Sequence, residues 1–206
     1  MTDILVTTLD YDESTEFGRL RIFTRELCLE RWSMESDRIC VISCPKGAEL
    51  EFQRSRRIAA DEQATTELYI LADDDCLLGD PYPHLKPAVD IMQRHPEFAI
   101  LSWLGVNFNI VPWTPPDEET KYLVGGTHYT DDEVMEHVNC GGIRLCRKGA
   151  MKEWPPMDDG VKTYDMIHCR ELRRQGWRSG YFQKLRMLHL GKNYSMLSNC
   201  PEEMLR

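Results

Sequence analysis

The sequence predicts an α/β fold in which helices flank a mostly parallel sheet. Short apolar, β-rich runs occupy residues 4–9, 38–44 and 67–72, and segments with helical character lie between them at 16–31 and 51–66. Strands that alternate with helices in this order form right-handed crossovers and therefore a parallel sheet. The chain has 206 residues, which suffices for one domain with a sizeable core.

Each element of the first half has its own signal. Apolar residues recur every three or four positions in 16–31, which predicts an amphipathic helix. The second predicted strand ends where Pro45 and Gly47 follow it. The second predicted helix carries Arg54, Arg56 and Arg57 within one turn, and a solvated helix face is one interpretation of these three arginines.

The second half is less regular. Its predicted elements are a helix at 84–94, a strand at 98–103, a strand at 141–146, a short helix at 148–154, a helix at 165–175 and a final mixed strand at 181–190. Between residues 109 and 130, prolines and glycines occur without an apolar period. A stretch of that length inside a compact domain is typical of a functional lid or binding loop.

The composition excludes several classes of protein. The formal net charge is −9, so a basic coat for nucleic acid is excluded. No apolar run approaches the roughly 20 residues of a membrane span, and we identify no signal peptide, so we expect a soluble, cytoplasmic protein without membrane contact. The eight cysteines are expected to be reduced and mostly buried. Because their spacing gives only one loose pair, no structural zinc site is predicted.

Charge is distributed unevenly along the chain. Residues 1–139 carry 12 basic and 27 acidic side chains, a net −15, whereas residues 140–194 carry 12 basic and five acidic ones, a net +7. A cationic segment folded against an acidic one can hold a metal ion and an anion side by side. Solvated helix faces are the alternative explanation.

Three adjacent aspartates follow the third predicted strand directly: Asp73, Asp74 and Asp75. Since such carboxylates repel one another, they predict a bound cation, either Mg²⁺ or Mn²⁺, which takes oxygen ligands and leaves positions for substrate phosphates. Side chains two apart on a strand point the same way, so Asp73 and Asp75 are expected on one side and Asp74 on the other. Open α/β folds also bind ligands at this edge of the sheet. An exposed acidic turn is the alternative.

Residues 67–78, with the sequence ELYILADDDCLL, resemble the strand and Asp-x-Asp motif of glycosyltransferases with the GT-A fold, particularly the inverting family 2. Further segments similar to that family follow in its order, at 84–102, 137–151, 164–177 and 188–191. The resemblance implies a single GT-A domain over 1–206, with a Rossmann-like, mostly parallel sheet and a smaller mixed sheet on the acceptor side. Residues 1–105 would bind the nucleotide sugar, and residues 106–206 would bind the acceptor and carry the catalytic base.

The same resemblance implies an activity and roles for particular residues. The activity is metal-dependent, inverting transfer of a hexosyl or pentosyl group from a nucleotide sugar, with a UDP-sugar favoured, to an acceptor hydroxyl; the cofactor is Mn²⁺ or Mg²⁺. The residues implied are the metal ligands Asp73, Asp75 and His189, the donor-binding residues Thr8, Leu9, Arg57 and Asp74, and the catalytic base Asp165. Two of these residues have local alternatives, because Asp165 begins a predicted helix and His189 is compatible with a core histidine.

Three residues are candidates for contact with the acceptor. Trp103 belongs to a set of aromatic residues, with Trp113, His128 and Tyr129, that would stack on a sugar or base unless they are core residues. Gly141 and Gly142 lie in a predicted strand, which indicates close approach of a ligand or another backbone, or a bulge.

The identity of the acceptor is open. Compact glycosyltransferases of this kind resemble those with which bacteriophages modify hydroxymethylated bases in their own DNA, which implies a modified DNA acceptor in the host cytoplasm. A saccharide or protein acceptor, or a non-catalytic sugar-binding module, are the alternatives. Sugar nucleotidyltransferases share much of the architecture, but they begin with a glycine-rich, basic phosphate loop, whereas residues 7–16 here contain no glycine and four acids.

Overall fold

The structure, a computed structural model, describes residues 2–9, 11–44, 49–78, 83–105, 131–156 and 164–189. Its strands are β1 Asp3–Leu9, β2 Ile39–Cys44, β3 Leu68–Asp73, β4 Cys76–Leu78, β5 Phe98–Gly105, β6 Val134–Glu136, β7 Ile143–Arg147 and β8 Arg178–His189. Its helices are α1 Glu16–Ser33, α2 Glu49–Gln63, α3 Leu85–Arg94 and α4 Tyr164–Arg174.

The eight described strands form one sheet in the order β2-β1-β3-β7-β5-β8-β4, and β6 also pairs with β8. The strands β2, β1 and β3 pair in parallel. Next to them β7 is antiparallel to both β3 and β5, and β5 is parallel to β8. Five of the eight described strands, β2, β1, β3, β5 and β8, therefore run in one direction. The short strands β4 and β6 are both antiparallel to β8.

Both faces of the sheet are buried along β1, β3 and β5, which explains why these strands are continuous apolar runs in the sequence. The strand β2 lies at the edge of the sheet, and its Cys40, Val41 and Ser43 are exposed. Ile4 and Val6 of β1 point into one core cluster, and Leu5 between them points into the other. The first cluster includes side chains of α1 and α3, and the second includes side chains of α2 and α4. Two helices thus cover each face, and the ends of the parallel strands remain available for a site.

The fold class predicted from the sequence is confirmed. The sheet is mostly parallel with helices on both faces, and its smaller mixed part, β6-β8-β4, belongs to the same sheet. The strands β4 and β6, of three residues each, were not predicted because so short a run carries no period. The helix predicted at 148–154 is wrong: Gly149 has a φ of +69° in a turn there, and that backbone conformation ends a helix. The loop at 109–130 lies outside the described residues.

Within the described part of the chain, no helix is both long enough and apolar enough to cross a membrane.

Candidate active site

The carboxyl ends of β1 and β3 lie at the same edge of the sheet as the start of β7, because β7 runs antiparallel to β3. Ala72 lies opposite Ile143 in this pairing, and the amide of Asp73 donates a hydrogen bond to the Gly142 carbonyl at 3.3 Å. The long strand β8 ends at His189, beside β4. Residues distant in the sequence therefore meet at this edge.

Asp73, the last residue of β3, is held by cations from two elements. Its Oδ1 accepts hydrogen bonds from Arg56 of α2 at 2.6 Å and from Arg144 of β7 at 2.8 Å. Burial opposes the charge of Asp73, but the positive charges of Arg56 and Arg144 outweigh burial and lower its pKa. The other oxygen, Oδ2, accepts no hydrogen bond from the described residues, and 18% of the side chain is exposed. One oxygen is thus anchored and the other is available to a ligand.

Asp74 and Asp75 share one cation, the guanidinium of Arg21 in α1. Arg21 pairs with Asp74 and donates to Asp75 Oδ2 at 2.6 Å. The expectation that Asp73 and Asp75 share a side while Asp74 points away is wrong, because β3 ends at Asp73 and the alternation of a strand stops there. Asp74 and Asp75 are both buried, so the exposed acidic turn is also wrong.

The pKa values of Asp74 and Asp75 shift in opposite directions, although both carboxyl groups contact Arg21. Burial raises the pKa of Asp74 to about 6, against the opposing charge of Arg21. Burial opposes the charge of Asp75 as well, but the hydrogen bond from His189 and the charge of Arg21 outweigh it, and the pKa of Asp75 is lowered. At neutral pH, Asp75 is therefore the more firmly ionised of the two.

His189 lies beside Asp75, and its role as a metal ligand stays a prediction. Its Nε2 is 3.5 Å from Asp75 Oδ1, and 27% of its side chain is exposed, so it is not a core histidine. Burial lowers the pKa of His189, but the hydrogen bond to Asp75 and the charge of that carboxylate outweigh burial, and the net pKa is raised.

Asp165 is the second residue of α4 and is bound by two buried arginines. Arg57 of α2 and Arg144 of β7 both donate to its Oδ1, the latter at 2.8 Å. Among the described residues, no backbone N–H of α4 donates a hydrogen bond to the Asp165 carboxylate, so this side chain does not cap its own helix. Its Oδ2 accepts no hydrogen bond from the described residues and lies against Gly141, where an added Cβ would be 2.9 Å from that oxygen. Gly141 therefore makes room for the carboxylate.

Arg57 is buried beside the candidate base. Its side chain is 1% exposed and pairs with Asp165, and its role in donor binding stays a prediction. Burial and the neighbouring charge of Arg144 lower the pKa of Arg57 to about 10. Arg56 is also buried, and Arg54 donates to the carbonyl of Pro155, so the solvated helix face is wrong for this turn.

Trp103 also requires correction as an acceptor contact. It is fully buried, packs edge-on against Trp32 and Phe182, and donates to His84 Nδ1 at 3.2 Å. It is therefore a core residue, which was the open alternative. The other aromatic candidates, Trp113, His128 and Tyr129, lie outside the described residues.

Gly142 has a φ of +72°, and an added Cβ would lie 2.5 Å from the Cε of Met187. The backbone conformation and the packing of Gly142 therefore explain why a glycine is needed here, and no contact with an acceptor has to be assumed. Thr8 and Leu9 lie at the end of β1 as expected, and Thr8 Oγ1 donates to Asp74 Oδ2 at 2.6 Å. The roles of Thr8 and Leu9 in donor binding stay predictions.

Sequence reasoning missed Arg144, Arg21 and Tyr11. Arg144 is fully buried and bridges Asp73 and Asp165, and a lone arginine inside the apolar strand 143–146 was the signal available for it, because a buried cation requires carboxylate partners. Arg21 and Tyr11 both contact Asp74. Nothing local in the sequence indicates those two contacts.

The arrangement fits a divalent cation. Asp75, Cys76 and His189 each offer one ligand atom, and these atoms lie within 4.8 Å of one another. Asp74 and Asp75 also bind one positive group between them, the guanidinium of Arg21. Carboxylate oxygens suit Mn²⁺ and Mg²⁺, and imidazole is a common ligand of transition-metal ions.

The sequence matches no protein-family model and no curated protein. The fold resembles the inositol-1-phosphate CTP transferase from T. maritima, with a TM-score of 0.59 and 9% identity over 98% of this chain and 95% of that one.

It also resembles S. aureus TarS 1–349, with a TM-score of 0.53 and 13% identity over 90% of this chain and 59% of that one. A third similar structure is the mannosyltransferase PcManGT from Pyrobaculum calidifontis in complex with GDP-Man and Mn²⁺, with a TM-score of 0.51 and 12% identity over 92% of this chain and 57% of that one. The chain thus spans less than two thirds of the TarS and PcManGT structures. At these identities the likeness concerns the fold, and the GT-A fold is confirmed.

Proposed function

We propose that this chain is a metal-dependent, inverting glycosyltransferase that moves a hexosyl or pentosyl group from a nucleotide sugar to an acceptor hydroxyl. The observation that carries the proposal is the bridge through Arg144, which binds Oδ1 of Asp73 and Oδ1 of Asp165 at 2.8 Å each. It sets a donor-side carboxylate beside a candidate base, each with Oδ2 accepting no hydrogen bond from the described residues. The shared fold of TarS in complex with UDP and of PcManGT in complex with GDP-Man and Mn²⁺ supports a nucleotide-sugar donor.

On the donor side, Asp73, Asp75 and His189 would hold Mn²⁺ or Mg²⁺. When bound, such an ion stabilises the negative charge that develops on the departing nucleoside diphosphate. Thr8 and Leu9 at the end of β1 and the buried Asp74 would contact the donor, for which we favour a UDP-sugar. The oxygen Oδ2 of Asp73 would receive either the ion or a ribose hydroxyl.

On the acceptor side, Asp165 would take the proton of the attacking hydroxyl at Oδ2. Arg57 and Arg144 hold Oδ1, which fixes the orientation of the carboxylate plane. Gly141 adds no side chain next to Oδ2, so the acceptor hydroxyl can approach over it. General-base assistance of this kind contributes about 10²–10⁴ in rate, and attack opposite the leaving group inverts the anomeric carbon.

For the acceptor we propose a saccharide hydroxyl in preference to a hydroxymethylated base in phage DNA. A DNA acceptor would need positive charge to bind its phosphates, and residues 140–194 are the segment of the chain with a net positive charge. Five arginines of that segment form ion pairs within the fold, namely Arg144, Arg147, Arg173, Arg174 and Arg178. Paired arginines offer less charge to a phosphate backbone. Binding to modified duplex DNA that weakens steeply as salt is raised would restore the DNA hypothesis.

The deciding experiment is a donor screen with Mn²⁺ that measures release of UDP, GDP and other nucleoside diphosphates, with and without saccharide acceptors. Asp75→Ala should abolish release, whereas the control Asp132→Ala, at an exposed position, should not. Asp165→Asn should slow transfer by about 10²–10⁴ while the donor still binds.

The likeness to the CTP transferase makes nucleotidyl transfer the second candidate. The same preparation is therefore assayed with nucleoside triphosphates and sugar phosphates. Release of pyrophosphate, with no nucleoside diphosphate formed from any sugar donor, would replace the glycosyltransferase proposal. Binding of nucleotide sugars without turnover would instead identify a non-catalytic module.

A further inference from the structure

Cys76 is a buried thiol at the edge of the candidate site that the proposed transfer does not use. It lies directly opposite His189 in the antiparallel pairing of β4 with β8. Directly opposite residues of such a pair project to the same face of the sheet, with their Cβ atoms about 4.5–5.5 Å apart. Cys76 follows Asp75 in the chain, so a thiol, an imidazole and a carboxylate meet at one point.

The two separations from Asp75 Oδ1 to the other ligand atoms match a tetrahedral cation. Asp75 Oδ1 lies 3.5 Å from His189 Nε2 and 3.6 Å from Cys76 Sγ. Bonds of roughly 2.0–2.3 Å in a tetrahedral zinc site separate neighbouring ligand atoms by about 3.3–3.8 Å. An octahedral Mg²⁺ site, with bonds of about 2.0–2.1 Å, needs neighbouring ligand atoms only about 2.9 Å apart. The separations therefore favour the tetrahedral ion.

The two oxygens of the Asp75 carboxylate have different partners, and Oδ1 is the one that faces the proposed ion. Arg21 contacts Oδ2 at 2.6 Å, whereas Cys76 and His189 face Oδ1. An ion at Oδ1 therefore leaves the pair between Arg21 and Asp75 in place. A ligand set of one sulfur, one nitrogen and one oxygen is typical of zinc and of other thiophilic ions, whereas magnesium and manganese prefer oxygen.

We propose that Asp75 Oδ1, Cys76 Sγ and His189 Nε2 form a binding site for a thiophilic divalent cation, Zn²⁺ in particular, with its fourth position open. The ion replaces the thiol proton of Cys76, which is released to the buffer. Since Asp75 and His189 are also the ligands proposed for Mn²⁺, occupancy by zinc inhibits transfer. Only this inhibition rests on the proposed function; zinc binding itself does not.

The test uses Co²⁺ as a spectroscopic substitute for Zn²⁺ on the intact chain. Coordination by a thiolate gives a sulfur-to-cobalt charge-transfer band in the near ultraviolet. We expect this band to saturate at about one equivalent, and to disappear when Zn²⁺ is added. Cys76→Ser should remove the band. The matched control Cys28→Ser replaces another buried thiol, 3.4 Å from the carbonyl of Cys76, and should retain it.

A second variant keeps the test decisive if Cys76→Ser fails to fold. His189→Ala retains the thiol but loses one ligand, and we expect roughly tenfold weaker cobalt binding. Absence of a charge-transfer band in the folded wild-type protein, or a band that persists in Cys76→Ser, would overturn the inference. Manganese-dependent turnover without the band refutes the zinc site alone, whereas the band without turnover of any donor refutes the proposed function alone.

Discussion

Asp73 and Asp165 accept hydrogen bonds from two nitrogens of the same buried guanidinium, that of Arg144, at 2.8 Å each. Asp73 ends a strand of the first half of the chain, and Asp165 lies on a helix of the second half. One side chain therefore sets the separation between a donor-side carboxylate and the candidate base. Positioning of this kind matters in catalysis, since a misplacement of about 1 Å can reduce a rate by 10²-fold.

Replacing Arg144 tests this relationship. Arg144→Met removes one of two arginine partners from each of two part-buried carboxylates, while Arg56 and Arg57 remain, so we expect the free energy of unfolding to fall by about 1.5–3 kcal/mol. Arg144→Lys keeps the charge but lacks the fork that reaches both carboxylates, so it should recover stability and still lose about 10²-fold in transfer rate. Urea unfolding and donor turnover measure the two effects.

The control for Arg144 is Arg174→Met, because Arg174 is 59% exposed and pairs with Glu171 at 3.4 Å one helical turn away. A surface pair of this kind contributes at most a few tenths of a kcal/mol. Full activity in Arg144→Lys would contradict the positioning role.

Gly141→Ala is expected to displace the candidate base. The new Cβ would lie 2.9 Å from Asp165 Oδ2, so the carboxylate has to move, and we expect a fall of about 10²-fold in kcat with an unchanged dissociation constant for the donor. The double variant with Asp165→Asn should be hardly slower than Asp165→Asn alone. Fully additive losses would show that Gly141 acts elsewhere.

Arg21→Met should strengthen Mn²⁺ binding. Arg21 places a positive charge beside Asp74 and Asp75. Removing that charge reduces the repulsion of a bound Mn²⁺, so its affinity should rise by at least roughly tenfold at an effective dielectric constant of about 20. Electron paramagnetic resonance of free Mn²⁺ measures the affinity. Arg19→Met, at an exposed position on the same helix, is the control. Weaker binding in Arg21→Met would mean that Arg21 orients the ligands and does not compete with the ion.

His168 should make stability depend on pH. Burial, reinforced by the charges of Arg57 and Arg144, lowers its pKa in the folded protein well below 6.5, and its ring stacks on Trp154 and Tyr164. Above pH 6.5 the imidazole is neutral in both states. As the pH falls below 6.5, the unfolded chain binds a proton that the folded chain does not, so stability declines by up to about 1.4 kcal/mol per pH unit.

Comparison of unfolding free energies of the wild type and His168→Phe between about pH 7.5 and about pH 5 isolates this contribution. As the pH falls, the unfolding free energy of the wild type should decrease more than that of His168→Phe. A difference independent of pH would show that His168 titrates alike in the folded and unfolded chains.

The pattern of strands and helices was predictable because it depends on local periodicity. The runs that became β1, β3 and β5 are continuously apolar, as expected for strands buried on both faces, whereas the equally apolar run of β2 forms an edge strand with Cys40 and Val41 exposed. Their order placed Asp73 at the carboxyl edge of the sheet, and the resemblance added Asp165 and His189. The expectation for Asp74 and Asp75 failed because it extended the alternation of β3 beyond its last residue.

The ion pairs of the site were beyond local reasoning. Arg21 meets Asp75, and Arg144 meets Asp73, across separations of 54 and 71 residues. No period or spacing in the sequence encodes such contacts, which arise only when the sheet is assembled. The apolar neighbours of Arg144 signalled that it would be buried, but they did not identify its partners.

The position of β7 has a consequence for any attempt to divide this chain. β7, from the second half, is inserted between β3 and β5, which both belong to the first half. A fragment ending near residue 105 would leave two interior strands with bare hydrogen-bonding edges where β7 normally lies. Fragments severed there should aggregate when produced separately and regain a native sheet only when they refold together.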